Sequence, residues 1–253
     1  MQNNDKKIKM DSYQRKKVSF GMHGVKLSID TDNAYEIGKG NYAHVFQIPD
    51  TNTCVKVLND EVENSGLIYV DRRTIKRTIL TIKNLDLKSF YKILDITFIH
   101  KFKFAKMQGY IMKCYQDNEW KMIYNDYEWY LRQYNQMLKD YTILGEHRIR
   151  IDDLHHQNYR VDEDIIRIDC DNFTITSKKE AIRANRTEAF GVILRLLSYS
   201  IIDYNLSNGT NYNSDIFSFC RDNPKLFFET LKEYGTPMNY INICIENEHK
   251  KTF

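Results

Sequence analysis

Three groups of residues in this chain are of types and spacings that could do chemistry. Gly38-Lys39-Gly40-Asn41-Tyr42-Ala43 fits the pattern GxGxxA. A dinucleotide site with that pattern needs a helix opening at the glycines, so that its N-terminus faces the pyrophosphate. Here VFQIP and a turn follow, which predicts two strands joined by a glycine turn. Such a flap can lay its amides over phosphates because no Cβ intervenes; a plain hairpin is the alternative. Lys56, in TCVKVL, shares a strand face with Cys54 and Leu58. Its ammonium is then half-buried and calls for an anion, or it snorkels from an edge strand to solvent. The third group lies in IRIDDLHHQNYRVDEDIIRIDCDNF. Asp153 and Asn158 stand as D-x-x-x-x-N in a polar loop, and Asp169 and Asp171 follow at the end of the next strand. A base for a hydroxyl, an amide oxygen and a carboxylate held together are what magnesium and a triphosphate require. Asp162, Glu163 and Asp164 read as a solvated turn. His155-His156 point to different sides, with no third ligand at usable spacing, and read poorly as a metal site.

The elements that would position these residues fall into two halves. Val25 to Ile29, Tyr35 to Ile37, His44 to Ile48 and Thr53 to Leu58 read as strands, the last two joined by the turn Pro49-Asp50-Thr51-Asn52. Leu67 to Lys83 is helical in period, with Ile68, Ile75, Ile79 and Ile82 on one stripe. Tyr91 to His100 and Gly109 to Cys114 read as two further strands. The second half opens with a long amphipathic helix, Trp120 to Leu144, whose stripe is Ile123, Tyr127, Leu131, Tyr134, Leu138 and Tyr141. Three very short strands follow, His147 to Ile151, Tyr159 to Val161 and Ile165 to Asp169. Arg186 to Asp203 is an apolar helix, and Pro224, Gly235 and Pro237 punctuate the helices of the tail. The expectation is an α+β protein with a basic arm (1–24), a sheet-rich lobe with one helix (25–114) and a mainly helical lobe (115–253).

The bulk properties exclude other classes. Lys and Arg number 37 against 34 Asp and Glu, so no strongly basic surface points to a nucleic-acid partner. With 10 Gly and 3 Pro the chain has no room for collagen-like repeats or long flexible linkers. Cys54, Cys114, Cys170, Cys220 and Cys244 are widely spaced and contain no CxxC, which argues against a disulfide framework or a structural zinc site. No signal-like apolar run opens the sequence, and the apolar stretch from Ala189 to Ile202 is broken by Arg195. The expectations are a cytoplasmic location and no membrane insertion. The basic arm, with Lys6, Lys7, Lys9, Arg15, Lys16 and Lys17, reads as a solvated tail, with a partner or anionic surface as the alternative.

Taken in order, glycine flap, strand lysine, D-x-x-x-x-N loop and strand-ending aspartate resemble the protein kinase-like superfamily. IGKGNYAHVF is similar to its glycine-rich loop, which puts Ile37, Gly38 and Gly40 over the nucleotide and Val45 against the adenine. CVKVL resembles the strand whose lysine, here Lys56, holds the α- and β-phosphates. GYIMKCY resembles the last strand and hinge, with Met112 at the gate and Lys113 to Tyr115, Cys114 among them, along the adenine edge. DLHHQN resembles the catalytic loop, with Asp153 as catalytic base and Asn158 as a magnesium ligand. IDCDNF resembles the segment whose aspartate, here Asp169, is the main magnesium ligand. RTEAFGVILRLL resembles the helix that anchors the catalytic loop from below, with Glu188 where an aspartate is usual. The resemblance implies a bilobal kinase-like fold, ATP and Mg2+ as cofactors, and transfer of the γ-phosphoryl to a hydroxyl.

The departures from that pattern are informative. Ile151-Asp152-Asp153 stands where the family has HRD, so no arginine pocket awaits a phosphorylated activation loop. DLHHQN with IDxD is closer to the aminoglycoside and choline phosphotransferase branch. The stretch from Asp169 to Glu188 is too short for a peptide-docking activation segment and has no APE-like motif. The acid that should pair with Lys56 is not evident; Asp71 is the first substitute and Glu63 the second. The leading reading is phosphorylation of protein Ser or Thr, including autophosphorylation in Thr174 to Ser177. The alternatives are a small-molecule kinase of the aminoglycoside or choline type, and a nucleotide-binding pseudokinase acting as an interaction module.

Overall fold

The computed structural model describes residues 18–22, 25–29, 35–40, 43–48, 50–58, 72–101, 104–115 and 119–251. Asp71 and Glu63, the cations of the arm from Lys6 to Lys17, and Asn41 and Tyr42 of the flap lie outside these residues. The protein is α+β, and among the described residues it holds one five-stranded antiparallel sheet, three two-stranded ribbons and five α-helices. The chain divides into two compact units, Met1–Asp86 with Tyr91–Tyr115, and Leu87–Phe90 with Gln116–Phe253.

In the first unit, β1 (Val18–Met22) and β2 (Val25–Ile29) form an antiparallel hairpin. A strand therefore occupies the end of the segment that reads as arm. The main sheet is built from β3 (Tyr35–Lys39), β4 (Ala43–Gln47), β5 (Thr53–Leu58), β6 (Ile93–Lys101) and β7 (Phe104–Lys113), in the order β3-β4-β5-β7-β6. Side chains alternate across a sheet. Val55 and Ile111 centre one face, with Ile48, Val57 and Leu94 packed against them, which leaves Cys54, Lys56, Tyr110 and Met112 on the other. Helix α1 (Arg72–Asn84) buries Ile75, Thr78, Ile79 and Ile82, the stripe its period predicts, and Arg72 donates to the Met107 carbonyl at 2.8 Å. The start expected at Leu67 lies outside the described residues.

The cysteines depart from expectation. Cys54 and Cys114 are joined as a disulfide, with Cα atoms 5.4 Å apart. Sequence spacing of 60 residues hides this pairing, because the sheet register sets Cys54 opposite Met112 and so brings Cys114 alongside. Such a bridge persists in oxidising surroundings and opens to a dithiol in reducing ones.

The second unit is helical. The helix expected from Trp120 to Leu144 is two elements, a 3-10 turn at Glu119–Tyr124 and α2 (Tyr127–Glu146), because Asp126 caps α2 by accepting from the Trp129 amide. Its buried face is also rotated from the expected stripe, to Tyr130, Gln133, Met137, Asp140, Tyr141 and Leu144. Two of these are polar because they satisfy backbone elsewhere. The Asp140 carboxylate accepts from the Ser89 amide at 2.7 Å and Gln133 accepts from the Ile165 amide at 2.9 Å. The bond to Ser89, with Phe90 packed on Tyr141 and Phe173, is why Leu87–Phe90 belongs to this unit and not to the 25–114 lobe. Helix α3 (Lys178–Asn208) starts eight residues before the expected Arg186, since Ser177 caps it through the Glu180 amide. Helices α4 (Pro224–Tyr234) and α5 (Pro237–Lys251) start at the two prolines, and Gly235 ends α4.

Helices α2 and α3 meet at Gly145, where a Cβ would lie 2.7 Å from both the Cα and the amide nitrogen of Ile182. No side chain fits against backbone at that distance. Gly145→Ala is expected to destabilise the fold by about 1–3 kcal/mol, as overpacking of a tight core does. Urea unfolding checks this, and a midpoint equal to wild type would refute the crossing.

Candidate active site

In the first unit the candidate residues form one row across the sheet. Gly38 pairs with Val45, Val45 with Lys56, and Lys56 with Tyr110. Directly paired residues share a face, so Gly38, Val45 and Lys56 line one surface. Lys56 is only 6% exposed, with its Nζ 6.0 Å from the centre of the Tyr110 ring. Met112 is buried two residues along β7 from Tyr110, on the same side, and the Cys114 amide donates to the Asn52 carbonyl. Ile37, at a bulge in β3, is 53% exposed. Among the described residues, a Cβ at Gly38 would meet Val45 at an ordinary 3.7 Å, and one at Gly40 would come no nearer than 3.9 Å, to the Ala43 carbonyl. Gly109 is different, since a Cβ there would lie 1.9 Å from the Lys56 carbonyl oxygen. A glycine inside a strand marks such close approaches, and this one lets β7 close on β5 at Lys56.

In the second unit, Asp153, Asn158 and Asp169 come together through backbone pairing. β9 (Tyr159–Val161) and β10 (Ile165–Arg167) form a tight ribbon in which Arg167 faces Tyr159. One step further the Ile168 amide donates to the Asn158 carbonyl at 2.8 Å, which sets Asn158 beside the strand end that carries Asp169. Asn158 donates its side-chain amide to the Asp153 carbonyl at 2.8 Å. Its Oδ1 accepts no hydrogen bond from the described residues. Asp153 has φ 56°, a left-handed backbone that non-glycine residues rarely adopt but Asp tolerates best. Its carboxylate is exposed and accepts from the Asn172 side-chain Nδ2 at 3.1 Å. Asp169 accepts the Asp171 amide on Oδ1 at 3.0 Å.

The loop is held from several sides. Asn185 on α3 accepts from the Ile151 amide at 2.8 Å and donates to the carbonyls of Ile149 and Tyr141. Arg195 donates to the Leu154 carbonyl at 2.5 Å. Glu188, the residue expected to anchor the loop, makes no hydrogen bond or ion pair among the described residues. Asn185 stands one turn earlier, on the stripe Ala181, Asn185, Ala189, and a polar residue on an apolar stripe was the signal for it. Asp152 is bound by Arg150 at 2.9 Å and by the Thr174 hydroxyl at 2.7 Å. Arg150 also reaches Glu180. The Thr176 hydroxyl, and after it Arg150, hold the Glu180 carboxyl below its usual range.

Arg167 is the largest fully buried side chain among the described residues, and it donates to carbonyls of Asp152, Asp153 and Asp169. The reasoning that singles out Lys56, a cation flanked by apolar strand residues, applies equally to Arg167 in IIRID. His155 caps the 3-10 turn at His156–Asn158, and His156 stacks on Tyr199 at 3.5 Å. No group of three or more His, Cys, Asp or Glu among the described residues is placed to hold a metal ion. The donors at Asn158 and Asp169 are one amide oxygen and one carboxylate, hard oxygens suited to magnesium when phosphates and water complete the shell.

The chain matches no protein-family model and no curated protein sequence. No helix among the described residues is long and apolar enough to cross a membrane.

Replacing Asn185 by Leu, close in volume, leaves the Ile151 amide without its partner and takes a donor from the Tyr141 and Ile149 carbonyls. A loss of about 2–4 kcal/mol is expected from such orphaned groups, measured by chemical denaturation. Stability within error of wild type would show that Asn185 does not hold the loop.

Proposed function

We propose that this chain is an ATP- and Mg2+-dependent phosphotransferase of the protein kinase-like fold, moving the γ-phosphoryl of ATP to a hydroxyl. The observation that carries the reading is the Asn158 bond to the Asp153 carbonyl. It spends the nitrogen end of the amide on the loop and leaves the oxygen end to a cation beside Asp169, while the Asp153 carboxylate stays exposed.

In this reading Gly38 and Gly40 cover the phosphates, Lys56 binds the α- and β-phosphates, and Ile37, Val45, Met112 and Cys114 line the adenine. Asn158 and Asp169 hold magnesium, which when bound neutralises charge on the transferring phosphoryl. Asp153 orients the acceptor hydroxyl and takes its proton. Lys56 is buried on the sheet face that it shares with Val45.

The hydroxyls of Thr174, Thr176 and Ser177 are already engaged, on Asp152, on Glu180 and in the cap of α3. A phosphate on Thr174 or Thr176 would stand against a carboxylate. The segment is also pinned, because β11 (Thr174–Ile175) pairs with β8 (Ile149–Arg150). These contacts favour an acceptor other than this segment, either another protein hydroxyl or a small molecule.

The test is phosphate release or transfer from Mg-ATP by wild type and by Asp153→Asn, a substitution that tolerates the left-handed backbone. Turnover is expected to fall by about 10²–10⁴ with ATP affinity little changed, as loss of a general base does. Turnover equal to wild type would remove Asp153 from the chemistry.

A further inference from the structure

We propose that Arg167 is the positioning residue that clamps the loop bearing Asp153 to the strand bearing Asp169. Its consequence for catalysis rests on the phosphotransferase reading; the clamp itself does not.

Arg167 is 1% exposed, and no carboxylate among the described residues lies within ion-pair distance of it. A guanidinium in that setting is costly, and an apolar residue of similar volume often stabilises such a site equally well or better. Stability alone therefore does not account for an arginine here. What the guanidinium does is bind oxygens that belong to the candidate site. Nε donates to the Asp169 carbonyl at 2.6 Å. One terminal nitrogen donates to both the Asp152 and Asp153 carbonyls, at 2.7 and 3.0 Å. The other donates to the Tyr159 hydroxyl at 2.7 Å, and that hydroxyl meets the Tyr141 hydroxyl at 3.1 Å. The rings of Tyr159 and Phe173, 5.2 and 4.7 Å from the guanidinium carbon, fix its plane.

The bonds have a direction. With its carbonyl turned inward to Arg167 and Asn158, Asp153 is held at φ 56° and its carboxylate points away toward Asn172 and solvent. Without the fork, the loop is free to relax to an ordinary backbone angle, and the carboxylate swings with it. Because the same planar group also holds the Asp169 carbonyl, the two reactive segments move together or not at all. Lysine keeps the charge but presents it as a point on a flexible stem, and cannot satisfy carbonyls on two segments and a phenol at once.

The experiment compares full-length wild type with Arg167→Met, Arg167→Lys and Tyr159→Phe, each checked for folding by thermal melting. Amide exchange in residues 151–158 and 169–173 is expected to speed up by about tenfold or more in both arginine variants, with α3 unchanged, as local opening without global unfolding gives. The kcat is expected to fall about 100-fold while KM for ATP stays within about threefold, the split expected when geometry is lost and binding is kept. Tyr159→Phe, which keeps the three carbonyl bonds, leaves kcat within about threefold. If Arg167→Met does not fold, Arg167→Lys carries the same readouts. Unchanged loop exchange in a folded arginine variant overturns the clamp, and unchanged kcat overturns its role in positioning. If wild type transfers no phosphate, the phosphotransferase reading fails and the exchange data alone decide the clamp.

Discussion

The left-handed turn at Asp153 is the constraint on which the second unit is organised. A non-glycine residue at φ 56° costs on the order of 1–2 kcal/mol relative to its ordinary conformations. It persists because the carbonyl of that residue receives two donors, from Asn158 and Arg167. Every neighbouring element contributes to keeping those donors in place. The β9–β10 ribbon aligns Asn158 with the strand end at Ile168, α3 reaches up with Asn185 and Arg195, and β11 brings Thr174 to Asp152.

The helices of this unit do two tasks with one face. On α2, Tyr130, Met137, Tyr141 and Leu144 supply apolar packing, while Gln133 and Asp140 from the same face satisfy backbone amides of Ile165 and Ser89. On α3, Asn185 interrupts an otherwise apolar stripe for the same purpose. Very short strands cannot pair all their backbone groups with one another, so the surrounding helices must supply polar side chains. That requirement accounts for the buried Gln133 and Asn185, which accept the amides of Ile165 in β10 and of Ile151 after β8.

This logic also marks where the sequence is legible. Thr53 to Leu58 and Tyr159 to Val161 coincide with observed strands because both are rich in β-branched and aromatic residues and are bounded by polar or turn residues. The caps at Asn223 and Gly235 are legible for the same local reason. Asp126 breaks a helix that its apolar period runs straight through, and Ser177 starts α3 earlier than its apolar stretch suggests. Both caps are single polar residues inside a convincing pattern. The Cys54–Cys114 bridge and the Arg167 fork depend on strand register and on contacts between segments distant in sequence. Spacing alone carries neither. Asp153, Asn158 and Asp169 stand out as residues because acids and an amide beside apolar strand ends are unusual, but the bond from Asn158 to the Asp153 carbonyl is visible only in three dimensions. Asp71 and Glu63, the two acids proposed as partners of Lys56, lie outside the described residues.

The central claim is that Asn158 and Asp169 present oxygens to a magnesium–nucleotide complex. The most direct test is calorimetric titration of ATP into wild type and Asp169→Asn, with magnesium and with chelator. The account predicts saturable ATP binding that strengthens with magnesium in wild type, and a magnesium effect lost in Asp169→Asn. ATP binding that is absent, or that is indifferent to magnesium in wild type, would contradict it.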